Sequence, residues 1–119
     1  MFPAENLRDW RGKTVIDPEG GKLGELEAVY VDTASDEPIF ITVRMSGLLG
    51  KLRLAFVPIA GASVTPNTVR VQHLKKLVRD APSIELDGEL DATQEPTLFQ
   101  HYQLDYMPGL SGERRVARG

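Results

Sequence analysis

Any chemistry in this chain must come from carboxylates, two histidines or one basic cluster, because its 119 residues include no cysteine. Glu25 and Glu27 sit two apart with Asp32 beyond them, and that spacing puts both glutamates on one face of a strand. Paired carboxylates can split their pKa values into an acid and a base. No nucleophile, oxyanion donor or cleft can be named beside them, so they read as solvated strand charges of the kind that discourages edge aggregation. Glu85, Asp87, Glu89 and Asp91 alternate like ligands of a hard cation, but the glycine and glutamate that complete an EF-hand loop are missing. His73 and His101 lack a neighbouring histidine at metal-ligand spacing and read as helix-surface or capping residues. Arg70, Lys75, Lys76 and Arg79 form a basic cluster suited to phosphate or RNA. No aromatic residue is interleaved with it for base stacking and no glycine-rich loop offers a phosphate cradle. A solvated helix face explains it as well. No catalytic residue, metal or cofactor is expected.

Apolar residues carry the stronger expectation. Leu48 and Leu49 stand between Gly47 and Gly50 at a hairpin tip, where two large aliphatic side chains are costly to leave in water. They read either as a docking knob or as a plug folded back over one end of a barrel. Near the C-terminus, Leu98, Phe99, Tyr102 and Tyr106 offer more aromatic surface than the flank of a small barrel needs. The competing reading there is packing on the chain's own barrel. Leu48, Leu49, Phe99 and Tyr102 are the expected interaction residues.

The elements that must position these residues are mostly strands. The first ninety residues alternate with period two and are broken by turn chemistry, the pattern of a small all-β barrel or sandwich. Strands are predicted at Lys13 to Ile16, at Lys22 to Asp32 with Leu26, Ala28 and Tyr30 on one face, from Ile39 to Met45, and from Leu52 to Val57. In the third, Ile39, Ile41, Val43 and Met45 form the core row and Phe40, Thr42 and Arg44 point away. A last hairpin around Pro66-Asn67 offers Val64, Val69 and Val71 to close the sheet on itself. Two helices are predicted. The first runs from His73 to Arg79 with Leu74, Leu77 and Val78 inward, and the second from about Gln94 to Tyr102 with Thr93 as N-cap and Pro96 in its first turn.

The net charge of −3 is unevenly spread. Residues 80–106 carry seven acids and no lysine or arginine, whereas residues 1–79 carry eleven bases against nine acids. A nucleic-acid binder would usually show a basic footprint over its folded part. At 13.1 kDa the chain reads as one domain. No stretch approaches the roughly 20 apolar residues of a membrane helix, and Met1 to Glu5 does not look like a signal segment. A soluble, cytoplasmic protein is expected.

Several segments, in order, resemble a PRC-barrel domain. Gly12-Lys13-Thr14-Val15-Ile16-Asp17 and Gly21-Lys22-Leu23-Gly24-Glu25-Leu26 through Asp32 resemble its opening. Phe56-Val57-Pro58-Ile59-Ala60-Gly61-Ala62 is similar to the family's "FVPLAGA" stretch, and Val78-Arg79-Asp80-Ala81-Pro82 to its "VKDAP" stretch. Residues from Gln94 to Tyr106 are similar to a closing "EExxLYxHYGLxY" helix, with departures at Gln94, Phe99 and Gln103. Gln103 stands where the family pattern has a helix-capping glycine. The resemblance implies a mainly β protein built as a small, strongly bent barrel. Domains of this kind occur in the cytoplasmic part of the photosynthetic reaction-centre H subunit and at the C-terminus of a ribosome-maturation factor, and both dock onto other macromolecules. It implies no shared catalytic activity.

The sequence is therefore read as a barrel over residues 7–82, an acidic linker and C-terminal helix packed on it over 83–106, and a mobile tail over 107–119. Its expected function is a non-enzymatic protein–protein interaction or scaffold module that forms a homodimer and engages an unidentified protein partner, with the acidic block favouring basic partners. The alternative is an RNA- or ribosome-associated assembly factor using Arg70, Lys75, Lys76 and Arg79. Nucleic acid and a membrane span are not expected.

Overall fold

The computed structural model describes residues 9–46, 50–107 and 113–119. Leu48 and Leu49 lie outside the described residues. The described residues form eight strands: β1 (Thr14–Ile16), β2 (Lys22–Asp32), β3 (Pro38–Ser46), β4 (Leu52–Pro58), β5 (Ser63–Val64), β6 (Thr68–Arg70), β7 (Ser83–Ile84) and β8 (Val116–Arg118). Helix α1 (Lys75–Arg79) precedes β7, and α2 (Glu95–His101) is entered through a 3-10 turn over Ala92–Gln94. The strands form one sheet in the order β5-β6-β1-β2-β3-β4-β7, with β8 paired to β2. Among the described strands only β1 and β6 pair in parallel. The chain is mainly β, as its alternation requires. The expected closure is corrected: among the described residues no ladder joins β5 to β7, each only two residues long.

β2 is long enough, at eleven residues, to offer one edge to two partners. β1 takes the Lys22–Glu25 end, β8 takes Tyr30–Asp32, and β3 runs along the opposite edge. The register of β2 on β3 shifts between Leu26 and Ala28. An extra residue in a bulge turns the following side chains to the other face. Leu26 and Val29 consequently join one core with Val15, Ile41, Val43 and Val57, while Ala28 and Tyr30 join a second. The face shared by Leu26, Ala28 and Tyr30 in a regular strand does not exist.

That second core changes the reading of β3 and β4. Phe40 and Thr42, expected to face away from a single core, are wholly buried, as are Ile41 and Val43 on the other side. Phe40 and Phe56 pack edge to face, and Leu90, Leu98, Phe99, Tyr102 and Val116 cover them. The sheet is thus buried on both faces. Every backbone and side-chain group of its middle strands must find a protein partner, and Thr42 Oγ1 donates to the Ala28 carbonyl at 3.5 Å.

The ends of the helices follow from local rules. α1 starts at Lys75 because Leu74 is extended, and a helix of five residues cannot carry the expected stripe of Leu74, Leu77 and Val78. Val78 alone is buried, and Leu74 and Leu77 stay 49% and 38% exposed. α2 begins one residue later than expected, with Pro96 in its first turn, where a missing N–H costs nothing. It ends in a Schellman arrangement. Leu104 N–H donates to the Phe99 carbonyl at 2.8 Å and Gln103 N–H to Gln100 at 3.0 Å, with Gln103 left-handed at φ 57°. The mobile tail expected from 107 is corrected over 113–119. β8 adds three residues to the edge of β2, and Val116 is 1% exposed in the second core.

Two substitutions test this account. A Cβ on Gly24 would sit 1.9 Å from the Arg44 carbonyl oxygen, so Gly24→Ala forces β2 and β3 apart and lowers unfolding stability by about 2–3 kcal/mol in urea titration. At Gln103 a glycine removes left-handed strain. Gln103→Gly raises stability by about 0.5–1 kcal/mol in the same assay, and a loss would contradict the cap.

Candidate interaction site

A run of small residues after β4 shapes the surface. Pro58 ends the strand, the Ala62 N–H donates to the Ile59 carbonyl at 3.0 Å, and Ala60 and Gly61 project little side chain over the turn. Across from them the end of α2 brings Phe99 and Leu104, and the start of β3 brings Ile39. The result is a concavity of about 580 Å3 whose floor is apolar and whose charged lining residues, among those described, are Glu37 and Asp105. Pockets of this size and lining suit an apolar group held at its ends by a few polar contacts. The alanines and glycine of the Phe56–Ala62 stretch thus have a role as a groove wall, which pattern reading alone does not supply.

The four expected interaction residues separate. Leu48 and Leu49 are outside the described residues. Phe99 is 6% exposed and keeps one edge in the groove. Tyr102 is corrected from a surface contact to a core residue. It is 5% exposed, and its hydroxyl donates to the Phe56 carbonyl at 2.6 Å, covering the edge of β4 beyond β7. Burial raises the Tyr102 phenol well above its ordinary pKa. The aromatic surplus of the C-terminal helix is spent on the second core, because Phe40 and Phe56 require covering.

Both histidines meet the same ring. His73 and His101 lie edge-on to Tyr102 with centroids 4.8 and 4.9 Å away. His101 Nε2–H donates to the Leu77 carbonyl at 2.7 Å, capping α1. Burial, and then the nearness of His101, lowers the His73 pKa. Among the described residues no group of three or more His, Asp and Glu side chains could hold a metal ion.

The carboxylates singled out by spacing are held apart. Glu27 is gripped by Arg11 at 2.8 Å and Arg44 at 2.9 Å, and Asp32 by Arg115 at 3.0 Å. Glu25 stays exposed on the other side of the bulge from Glu27. Glu85 makes only a 3.8 Å contact with Lys51, both side chains being mostly solvated. Within 85–91, a turn closed by Gly88 N–H on the Glu85 carbonyl breaks the alternation.

The basic cluster does assemble on one side. Lys75, Lys76 and Arg79 lie on α1, while Arg70 on β6 is engaged, its guanidinium donating to the Pro18 carbonyl at 2.9 Å. α1 is fixed by Asp17, to which sequence reasoning assigned no role beyond its place in the family-like stretch. Its Oδ1 accepts the Gly21 and Glu19 N–H groups at 2.7 and 3.0 Å, and its Oδ2 accepts the Lys75 N–H at 3.2 Å.

The most consequential residue that sequence reasoning missed is Glu95. It is fully buried, and its carboxylate accepts the Val116 N–H at 3.0 Å, the Arg115 N–H at 3.0 and 3.1 Å, and the Tyr106 hydroxyl at 2.7 Å. Burial, then the bond to Glu95, pushes the Tyr106 phenol up to about 12. The available signal was a glutamate directly before the first-turn proline of a helix, which also looks like an ordinary N-terminal acid.

The Gly21 N–H, the largest influence, holds the Asp17 pKa below its ordinary value, with Lys75 and Glu19 N–H adding to it against burial. A depressed folded pKa means that the unfolded chain binds the proton more readily. Its stabilisation is complete above the ordinary carboxylate range and is lost as pH falls through the folded pKa. Urea midpoints followed from about pH 6 to about pH 2 fall more steeply for the native chain than for Asp17→Asn, whose amide oxygen keeps the Gly21 and Glu19 N–H groups without titrating but gives up the Lys75 N–H, so that the variant is less stable at pH 6 and its slope in acid is shallower. Equal acid slopes would contradict this assignment.

No helix among the described residues is long and apolar enough to cross a membrane. A search among characterised proteins finds no match to the chain. The sequence profile of the PRC-barrel domain matches residues 3–78, which include β1 through β6, most of α1 and the β4 wall of the groove. With well over half of its length matched in this way, the chain belongs to the PRC-barrel domain family.

Proposed function

We propose that the chain is a non-enzymatic protein–protein interaction module, a cytoplasmic scaffold that self-associates and seats an apolar segment of a protein partner in the groove beside Ala60. The observation that carries this reading is the groove's composition. Its floor of Ile39, Ile59, Ala62, Phe99 and Leu104 is apolar, and among the described residues the charges at its rim are the carboxylates of Glu37 and Asp105. An apolar segment with basic residues at its ends matches both features. The seven acids of residues 80–106 extend the same preference. The basic face of α1 belongs to the competing RNA-associated reading, and it lies on residues that do not line the groove.

NMR titration with a short leucine- and valine-rich peptide ending in lysines tests the reading. The expected shifts fall on Ile39, Ala60, Ala62 and Leu104. Binding weakens roughly tenfold when the lysines become glutamates, and Ala60→Arg, a change at an exposed wall residue, removes it. Indifference to the end charges, or salt-sensitive RNA binding with shifts at Lys75 and Lys76, would overturn it.

A further inference from the structure

The last strand is held as a bound peptide is held. Its main chain pairs with the end of β2, Tyr30 opposite Arg118, Val31 opposite Ala117 and Asp32 opposite Val116. The ladder continues on both sides, with Gly119 N–H on the Val29 carbonyl at 2.8 Å and Thr33 N–H on the Arg115 carbonyl at 2.9 Å. Thr33 Oγ1 donates to the Arg114 carbonyl at 2.7 Å. Glu95, from a different element and wholly buried, receives two consecutive backbone N–H groups of the segment, those of Arg115 and Val116. One side chain fills a pocket, Val116 at 1% exposed among Ala28, Tyr30 and Leu90. Another fixes register and direction, Arg115 donating to both oxygens of Asp32 at 3.0 and 3.1 Å.

These are the parts of a strand-addition site: backbone pairing for affinity, an apolar pocket and a charge partner for specificity. The residues that receive the segment include 28–33, 90, 95 and 107, and what is received lies in 114–119. We infer that this site takes the Arg115–Gly119 segment of a second copy of the chain in place of its own. The exchanged contacts are the same contacts, so an exchanged pair loses none of them. What favours the chain's own segment is its tether, an effective-concentration advantage of millimolar order that rising protein concentration offsets. The inference rests on the reading of the chain as an association module, and it names the surface and the residues through which copies would join.

The test uses the full chain and a fluorescein-labelled peptide of residues 113–119. In Val116→Asp the chain's own segment is weakened while the receiving residues are unchanged, so the peptide binds this variant roughly tenfold or more tightly than it binds the native chain. A peptide carrying the same Val116→Asp change does not bind either. Arg115→Ala removes the pair with Asp32 and the guanidinium's bond to the Met107 carbonyl, leaves Val116 in place, and is the second host, covering the case in which Val116→Asp fails to fold. Light scattering at near-millimolar concentration shows dimers of the native chain that diminish in both variants. Failure of the native-sequence peptide to bind a folded variant, or equal binding of both peptides, overturns the inference. Dimers that persist undiminished in the variants overturn it as well, while leaving the groove reading standing. Loss of groove binding with peptide exchange intact does the reverse.

Discussion

From Phe40 to Val43, β3 has no face to give to water. Ile41 and Val43 on one side and Phe40 and Thr42 on the other are all fully buried. Burying Phe40 and Phe56 each contributes on the order of 2–3 kcal/mol, but only if something covers them. That cover is assembled from Ala81, Ile84, Leu90, Leu98, Phe99, Tyr102 and Val116, so the acidic C-terminal third is part of the fold's core and not an appendage to a finished barrel. Its polar atoms must then be satisfied in the interior. Tyr102 answers the Phe56 carbonyl, and Glu95 answers the N–H groups that arrive with β8. Leaving such donors without an acceptor would cost about 1–3 kcal/mol each.

This two-sided burial also decides which surfaces remain for partners. The aromatic residues of α2 are consumed by it, with Phe99 reaching the groove only at an edge. The small residues after β4 leave a concavity because they do not fill the space between β3 and the end of α2. The edge of β2 beyond β1 is taken up by β8, which protects it from uncontrolled strand pairing. The same edge, occupied by a short segment, is where exchange between copies is possible. Charge follows the same partition, with carboxylates at the groove and cations on α1.

Much of this was legible in the sequence, and the failures have physical causes. Period-two alternation located β1 to β6 because strand periodicity is local. The single-core reading failed at Phe40 and Thr42 because a strand buried on both faces shows no contrast between its rows. It failed at Ala28 because a bulge leaves no mark in composition. β8 was taken for a mobile tail since arginines and glycines supply little apolar area, and its order comes from three backbone pairs and a remote carboxylate. Gln103 is the opposite case. As a departure from the glycine of the resembling pattern it gave reason to expect a different helix end, yet the structure keeps the left-handed cap with Gln103 in it. Glu95 was legible only as an ordinary acid at a helix start, because its acceptor role depends on residues about twenty positions away.

The claim that the C-terminal segment completes the core and is clasped by Glu95 is tested most directly by amide hydrogen exchange on the native chain and on Glu95→Ala. The account predicts that the Val116 amide is protected in the native chain. In Glu95→Ala that protection is lost, and global stability falls by about 3 kcal/mol as buried donors lose their acceptor. A Val116 amide that exchanges in the native chain as fast as in an unstructured peptide would contradict it.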